Sequence, residues 1–300
     1  MTKLQDGGVS GSAQLDDRSR RDFVALSAAA GLAAVTGAAA GAELQVVEKD
    51  VQITTPDGNA DAAFFYPATG SHPAVLIWTD AFGLRPAFRE MGKRLAAQGY
   101  SVLVPNPFYR SAKAPVFSDI ASFNFEDPAD RAKLQQVMGP LTAAGAAERD
   151  ALAYVAFLNA QPQVDKKKKM GVQGYCMGGA LTLRSAAVAS DRIGAGASFH
   201  GGGLVTDKPE SPHLLATKIH ARMYFAIAAN DDERQPDAKD KLREAFTSAK
   251  VPAEVEVYAG AQHGWCVVDM PLRKGVPIYS KPDAERAWTK LLALYRDALV

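Results

Sequence analysis

The sequence predicts an α/β fold: a single domain on a mainly parallel central sheet, helices on both faces, and an antiparallel hairpin at its start. Three observations predict it. From residue 74 onward, short apolar or β-branched runs alternate with longer segments of helical spacing, the pattern of a parallel sheet covered by helices. Several runs, such as Ala74-Val75-Leu76-Ile77-Trp78, are apolar without interruption, as strands buried on both faces are. No internal repeat or interdomain linker divides the 300 residues, a length that an α/β domain can fill alone.

The first 42 residues stand apart. Ser19-Arg20-Arg21-Asp22-Phe23-Val24 resembles the twin-arginine export motif. An apolar stretch of small residues follows, from Val24 to Ala40, too short and too rich in Ala and Gly to serve well as a permanent membrane span. Ala38-Ala39-Ala40 and Ala40-Gly41-Ala42 offer small-residue cleavage sites. The expectation is an export signal over 1–42 and one domain over 43–300, with the mature protein periplasmic or secreted and not stably inserted in the membrane.

Within the domain, Val46 to Thr55 and Ala60 to Tyr66 flank the turn residues Pro56-Asp57-Gly58-Asn59 and predict the hairpin. Ala74–Trp78 is the next strand. Arg85 to Gln98 carries Phe88, Met91 and Leu95 at helical spacing, with Gly99 as a stop. Ser101 to Val104 is a strand closed by Pro105. Residues 106–142 are irregular and proline-rich, a long connection of the sort that forms a lid or binding loop. Ala144–Leu158 is a helix, Met170–Tyr175 a strand, and Met177–Ala189 a helix of small residues. Ile193–Phe199, Met223–Ala228 and Val255–Tyr258 are strands. Pro236–Ala249 and Pro282–Leu299 are helices, each with a proline near its first turn.

Composition excludes several functions. The net charge of +1 gives no basic surface for nucleic acid, and Lys166–Lys169 is a solvated loop before a buried strand. Two cysteines, Cys176 and Cys266, are too few for a disulfide scaffold, and no C-x-x-C occurs. The five histidines show no metal-binding pair at helical spacing, so no metal and no cofactor is expected.

The chemistry centres on Gly174-Tyr175-Cys176-Met177-Gly178-Gly179, where a strand meets a helix. This is the nucleophile elbow G-x-S-x-G of an α/β-hydrolase with Cys in place of Ser. The turn is tight, and a side chain at 174 or 178 would crowd it. The helix N-terminus points at Cys176 and favours a thiolate. The N–H of Met177 is left free to bind an oxyanion. In this fold the acid and the histidine follow the nucleophile in that order. Ala229-Asn230-Asp231-Asp232-Glu233-Arg234-Gln235-Pro236 follows the next-to-last strand, and Gly260-Ala261-Gln262-His263-Gly264-Trp265 the last. Both loops lie at strand C-termini, where open α/β sheets place their sites. His263 is the expected base. Asp232 is the expected acid, four residues before Pro236, with its neighbour Asp231 as the alternative.

Together these motifs resemble the dienelactone hydrolase family over roughly residues 45–298. Thr79-Asp80-Ala81-Phe82-Gly83-Leu84 is similar to the family's acidic-residue–x-Phe-Gly segment, with Asp80 where Glu is usual. The resemblance implies that Asp80 lies near the nucleophile and helps control its charge, and that the Ala81 N–H is the second oxyanion donor. Pro105-Asn106-Pro107-Phe108-Tyr109-Arg110 resembles the loop whose arginine holds a substrate carboxylate, a task suited to a guanidinium. Trp265 in the His-Gly-Trp loop is a candidate substrate contact, although this aromatic, like Phe123 and Phe125, fits the core better when taken alone. The family's second arginine, four residues after the histidine, is replaced by Val267. The implied function is cofactor-independent hydrolysis of a small ester or lactone, anionic substrates included, through a thioester. The rivals are a general carboxylesterase and a non-catalytic, redox-sensing thiol protein using Cys176 and Cys266.

Overall fold

The β-branched run Val46–Thr55 forms strand β1, and Gly58–Pro67 forms β2. They pair antiparallel with Thr55 opposite Gly58, so Pro56 and Asp57 make the turn. The computed structural model describes residues 44–300 other than 274; the expected export signal over 1–42 lies outside the described residues. The remaining strands are β3 (Ala74–Trp78), β4 (Ser101–Pro105), β5 (Met170–Tyr175), β6 (Ile193–Phe199), β7 (Arg222–Ala228) and β8 (Ala253–Tyr258). One eight-stranded sheet results, in the order β1-β2-β4-β3-β5-β6-β7-β8. The pairs from β4 through β8 are parallel, and β2 joins β4 antiparallel. The α/β-hydrolase fold expected from the sequence is the fold observed.

Alternation along each strand feeds two cores. Leu76 and Trp78 face one side of the sheet, packed with helices α3 (Ala146–Ala160), α4 (Met177–Val188) and α6 (Ala238–Ser248). Val75 and Ile77 face the other, packed with α1 (Pro86–Ala96) and α7 (Lys281–Ala298). The chain turns to β4 on one side of β3 and to β5 on the other. Connections leaving β3 and β5 therefore diverge, and a crevice opens at their C-terminal ends.

The irregular connection after β4 holds a helix that the sequence did not predict, α2 (Pro128–Met138), followed by a 3₁₀ turn over Gly139–Thr142. The Asp127 carboxylate accepts from the Ala129 N–H at 2.7 Å and caps α2. Only Val137 of α2 is buried, so no apolar stripe marks it. A short helix, α5 (Ala229–Arg234), also precedes α6, which begins two residues after Pro236. No helix among the described residues is long and apolar enough to cross a membrane.

Candidate active site

Cys176 stands between β5 and α4 with φ 53° and ψ −116°, a conformation that L-residues adopt only under constraint. The glycines explain why the chain tolerates it. A Cβ on Gly174 would lie 2.0 Å from the Gly178 carbonyl oxygen, and one on Gly178 would lie 2.6 Å from that of Trp78. The backbone of Cys176 is held on both sides. Its N–H is shared between the Phe199 carbonyl at 3.1 Å and His200 Nδ1 at 3.2 Å. Its carbonyl accepts from the N–H groups of Gly179 and Gly202. The Cys176 side chain is half-buried and opens on a cavity of about 460 Å³. Asp80, Phe82, Phe123, Asn230 and His263 share its walls.

His263 sits in the loop after β8 and shares the cavity wall with Cys176. Its Nδ1 lies 2.6 Å from Asp231 Oδ2, and its N–H donates to Asn230 Oδ1 at 2.8 Å. Burial works against a charged imidazole. The Asp231 carboxylate and the Cys176 sulfur outweigh it and hold the ring's pKa up at about 10. Asp232, the acid expected from spacing, is not the partner. Its Oδ1 accepts from Lys239 Nζ at 2.7 Å. Because α5 begins at Ala229, consecutive side chains diverge by about 100° around its axis, so only one of the two carboxylates can face the imidazole.

Met177 directly follows Cys176 in the chain, and Ala81 shares the cavity wall with it. Neither the Ala81 nor the Met177 N–H finds an acceptor among the described residues, and Met177 is the first residue of α4. Asp80 lies in the cavity wall, 2% exposed, but both its oxygens accept from Arg85, at 2.7 and 2.9 Å. Arg85 also binds Asp269 of the histidine loop at 2.8 and 2.9 Å. It thus ties the two loops that border the cavity. Burial opposes the Arg85 charge, and the two carboxylates more than offset it.

Comparison with known proteins places this architecture. Residues 60–299 match the model of the dienelactone hydrolase family. The chain belongs to the dienelactone hydrolase family. A carboxymethylenebutenolidase of Rhodococcus opacus is 27% identical over 199 residues, 66% of this chain and 71% of that one. A solved dienelactone hydrolase-like promiscuous phosphotriesterase, P91 from metagenomic libraries, superposes with a TM-score of 0.68 at 25% identity, covering 85% of this chain and 99% of that one. The dienelactone hydrolase of Anabaena variabilis shares the fold, with a TM-score of 0.59 at 15% identity over 85% of this chain and all of that one. By family the chain is a carboxylic ester hydrolase.

In this dienelactone hydrolase family member the two candidate substrate contacts, Arg110 and Trp265, lie outside the cavity wall. Arg110 is absent from the cavity wall. Its guanidinium grips both oxygens of the fully buried Asp150, at 2.7 and 2.8 Å, and reaches Asp57 at 2.6 Å. A buried carboxylate without a partner is costly, and Asp150 claims the arginine. Trp265 is also absent from the wall. It is fully buried, stacked on Tyr258 at 5.0 Å. The arginines in the wall are instead Arg234 and Arg273. Sequence reasoning missed His200 and Asn230. The available signal was position: each is a polar residue at the C-terminal end of a parallel strand, and His200 opens a run of three glycines.

Proposed function

We propose that the chain hydrolyses an ester or lactone through a Cys176–His263–Asp231 triad and a thioester acyl-enzyme. The carrying observation is that the strained Cys176 and His263 share one cavity wall, with the Asp231 carboxylate on His263 Nδ1. Because Asp231 holds Nδ1, Nε2 is the nitrogen that serves the sulfur. The proton rests on His263 and the sulfur attacks the substrate carbonyl as a thiolate. The N–H groups of Ala81 and Met177 bind the oxyanion. Collapse breaks the acyl–oxygen bond, and the leaving oxygen takes the proton from His263 Nε2. Water then gives its proton to His263 and adds to the thioester. Collapse of that adduct releases the acid and restores the thiolate–imidazolium pair.

Wall residues such as Phe82, Phe123, Phe125 and Leu272 suit an apolar or aromatic acyl group. With Arg110 engaged by Asp150, a carboxylate on the substrate has no dedicated arginine from that loop. Any anionic group would instead meet Arg234 or Arg273 in the wall, and a general carboxylesterase stays the second reading. A thiol-sensor role gains no support from the pairing of the cysteines: both are free, and Cys266 is buried among apolar residues on the α1/α7 side of the sheet.

The test is hydrolysis of a dienelactone and of an aryl ester by the full chain and by Cys176→Ala, with intact-mass measurement after rapid quenching. Wild type should cleave the aryl ester and show an acyl adduct that Cys176→Ala lacks. Turnover retained in Cys176→Ala would sink the mechanism. We also propose export through the twin-arginine route. Expression with and without Arg20→Lys/Arg21→Lys, followed by fractionation and N-terminal sequencing, checks it; cytoplasmic retention of the unaltered chain would refute it.

A further inference from the structure

His200 is retained against two penalties. It follows β6 as Cys176 follows β5, and the residues before them, Phe199 and Tyr175, are register partners. Both chains leave the sheet with a positive φ, 53° at Cys176 and 40° at His200. Glycine adopts such a backbone without strain, and Gly201, Gly202 and Gly203 follow directly. His200 is also 1% exposed, and its Nε2 is buried with no partner among the described residues. Strained backbone and unpaired buried polar atoms both lower stability, and they gather where they serve a site.

Two contacts show what His200 serves. Its Nδ1 accepts from the Cys176 N–H at 3.2 Å. Its ring stands across that of His263, with centroids 4.9 Å apart and planes at 64°. The imidazole is itself held firmly. Trp265 and Tyr175 pack on it at 5.2 and 6.0 Å, and the His200 N–H donates to the Ala226 carbonyl at 2.8 Å. Burial and the neighbouring His263 push the His200 pKa well down, so the ring stays neutral and its Nδ1 lone pair remains available to Cys176.

We infer that His200 is a positioning residue, which sets the Cys176 backbone and the His263 ring against each other so that sulfur and imidazole stay paired as thiolate and imidazolium. The inference rests on that pairing in the reading above and does not depend on which ester is cleaved. Charged side chains in or behind the cavity wall include Asp80 with Arg85, Asp231 with Arg234, Glu126 and Arg273. None of them bonds to His200 among the described residues, so each is retained when His200 is replaced.

The test is alkylation of Cys176 in the full chain by iodoacetamide, at pH 6 and pH 9, scored by peptide mass so that Cys266 is counted separately. The sulfur bonds to the methylene carbon and iodide leaves, at a rate that follows the thiolate. The ratio of the pH 6 rate to the pH 9 rate is compared in wild type, His200→Leu and His200→Asn, with urea unfolding as the check on folding. Wild type should keep most of its rate at pH 6. His200→Leu has neither the acceptor nor the ring, and its ratio should fall by about tenfold or more. His200→Asn keeps an acceptor and tolerates the left-handed backbone, so its ratio should fall by only about threefold. A looser fold alone would change both rates together and leave the ratio unmoved. A ratio in His200→Leu within about twofold of wild type, or one in His200→Asn no higher than in His200→Leu, overturns the inference. If His200→Leu does not fold, His200→Asn decides alone, and a ratio equal to that of wild type overturns it. A wild-type rate that drops about a hundredfold between pH 9 and pH 6, as for an ordinary thiol, overturns the ion pair and the role of His200 together. If the ratios follow the expected order while no ester or lactone is cleaved, the hydrolase reading fails and the role of His200 stands.

Discussion

Asp231 and Asp232 are neighbours in sequence with separate tasks. Asp231 faces the imidazole at 2.6 Å, and Asp232 faces Lys239 at 2.7 Å. Asp231→Asn should lower kcat/KM for an aryl ester by about 10³–10⁴, since an amide there favours the wrong tautomer of the histidine. Asp232→Asn should stay within about threefold, because it removes one partly exposed ion pair. A larger loss in the second variant would reverse the assignment. The raised pKa of His263 has its own signature. Its folded value of about 10 lies above the ordinary 6.5, so the protonated ring stabilises the fold. That contribution is complete below about pH 6.5 and is lost as the pH rises through 10. Urea unfolding of wild type and His263→Gln across pH 6–10.5 should show the advantage of wild type shrinking with pH; an advantage that grows would be incompatible with the charge state used above. At this scale Cys176 and His263 were legible in the sequence, because glycine spacing and chain order single them out. The choice between the two aspartates was not. It depends on α5 starting at Ala229, and no residue there signals that start.

Among the elements, the junction of β5 with α4 is the least forgiving. A methyl group on Gly178 would strike the Trp78 and Thr79 carbonyls at 2.6 and 2.7 Å, which are backbone atoms at the end of the adjacent strand β3. Relief would require β3 and α4 to move apart, since close-packed interiors cannot absorb such a contact locally. Gly178→Ala should cost at least about 3 kcal/mol or prevent folding, read by urea denaturation. Gly139→Ala is the control, as a Cβ there meets nothing within 4 Å. The same packing explains which elements the sequence disclosed. β3, β5 and β6 are buried nearly throughout, and their apolar runs coincide with their observed bounds. α2 escaped notice because it buries one residue, and its cap and first-turn proline sit in a proline-rich segment that reads as loop. Phe123 and Phe125, which precede it, pack against Phe82 with centroids 5.0 and 5.7 Å away. The expected binding loop therefore does reach the cavity, through its aromatic residues.

Across the molecule, Arg110 joins pieces far apart in the chain. It connects Asp57 in the turn of the first hairpin to Asp150 in α3. Tyr109 adds a bond to Asp150 at 2.8 Å and lies 2.6 Å from Thr55 Oγ1, while Arg149 also holds Asp57. Burial pushes the Asp150 pKa up, and the Arg110 charge beside it works in the opposite direction. A sequence motif could not disclose this, because the demand comes from a carboxylate 40 positions away whose burial is set by the docking of α3. The motif correctly marked an arginine that binds a carboxylate; the carboxylate belongs to the protein. Two readings of Arg110 therefore predict different things. As a substrate clamp, its loss would selectively impair anionic substrates. As a structural tie, its loss strands a fully buried carboxylate and should destabilise the fold by about 3–5 kcal/mol. For Arg110→Met the expected outcome is a lower urea midpoint at pH 7, with the kcat/KM ratio of a carboxylate-bearing ester to its neutral isostere unchanged. The double variant Arg110→Met/Asp150→Leu should recover most of the lost stability, because it removes the stranded charge along with its partner. A ratio that drops by tenfold or more, with stability intact, would return Arg110 to the substrate.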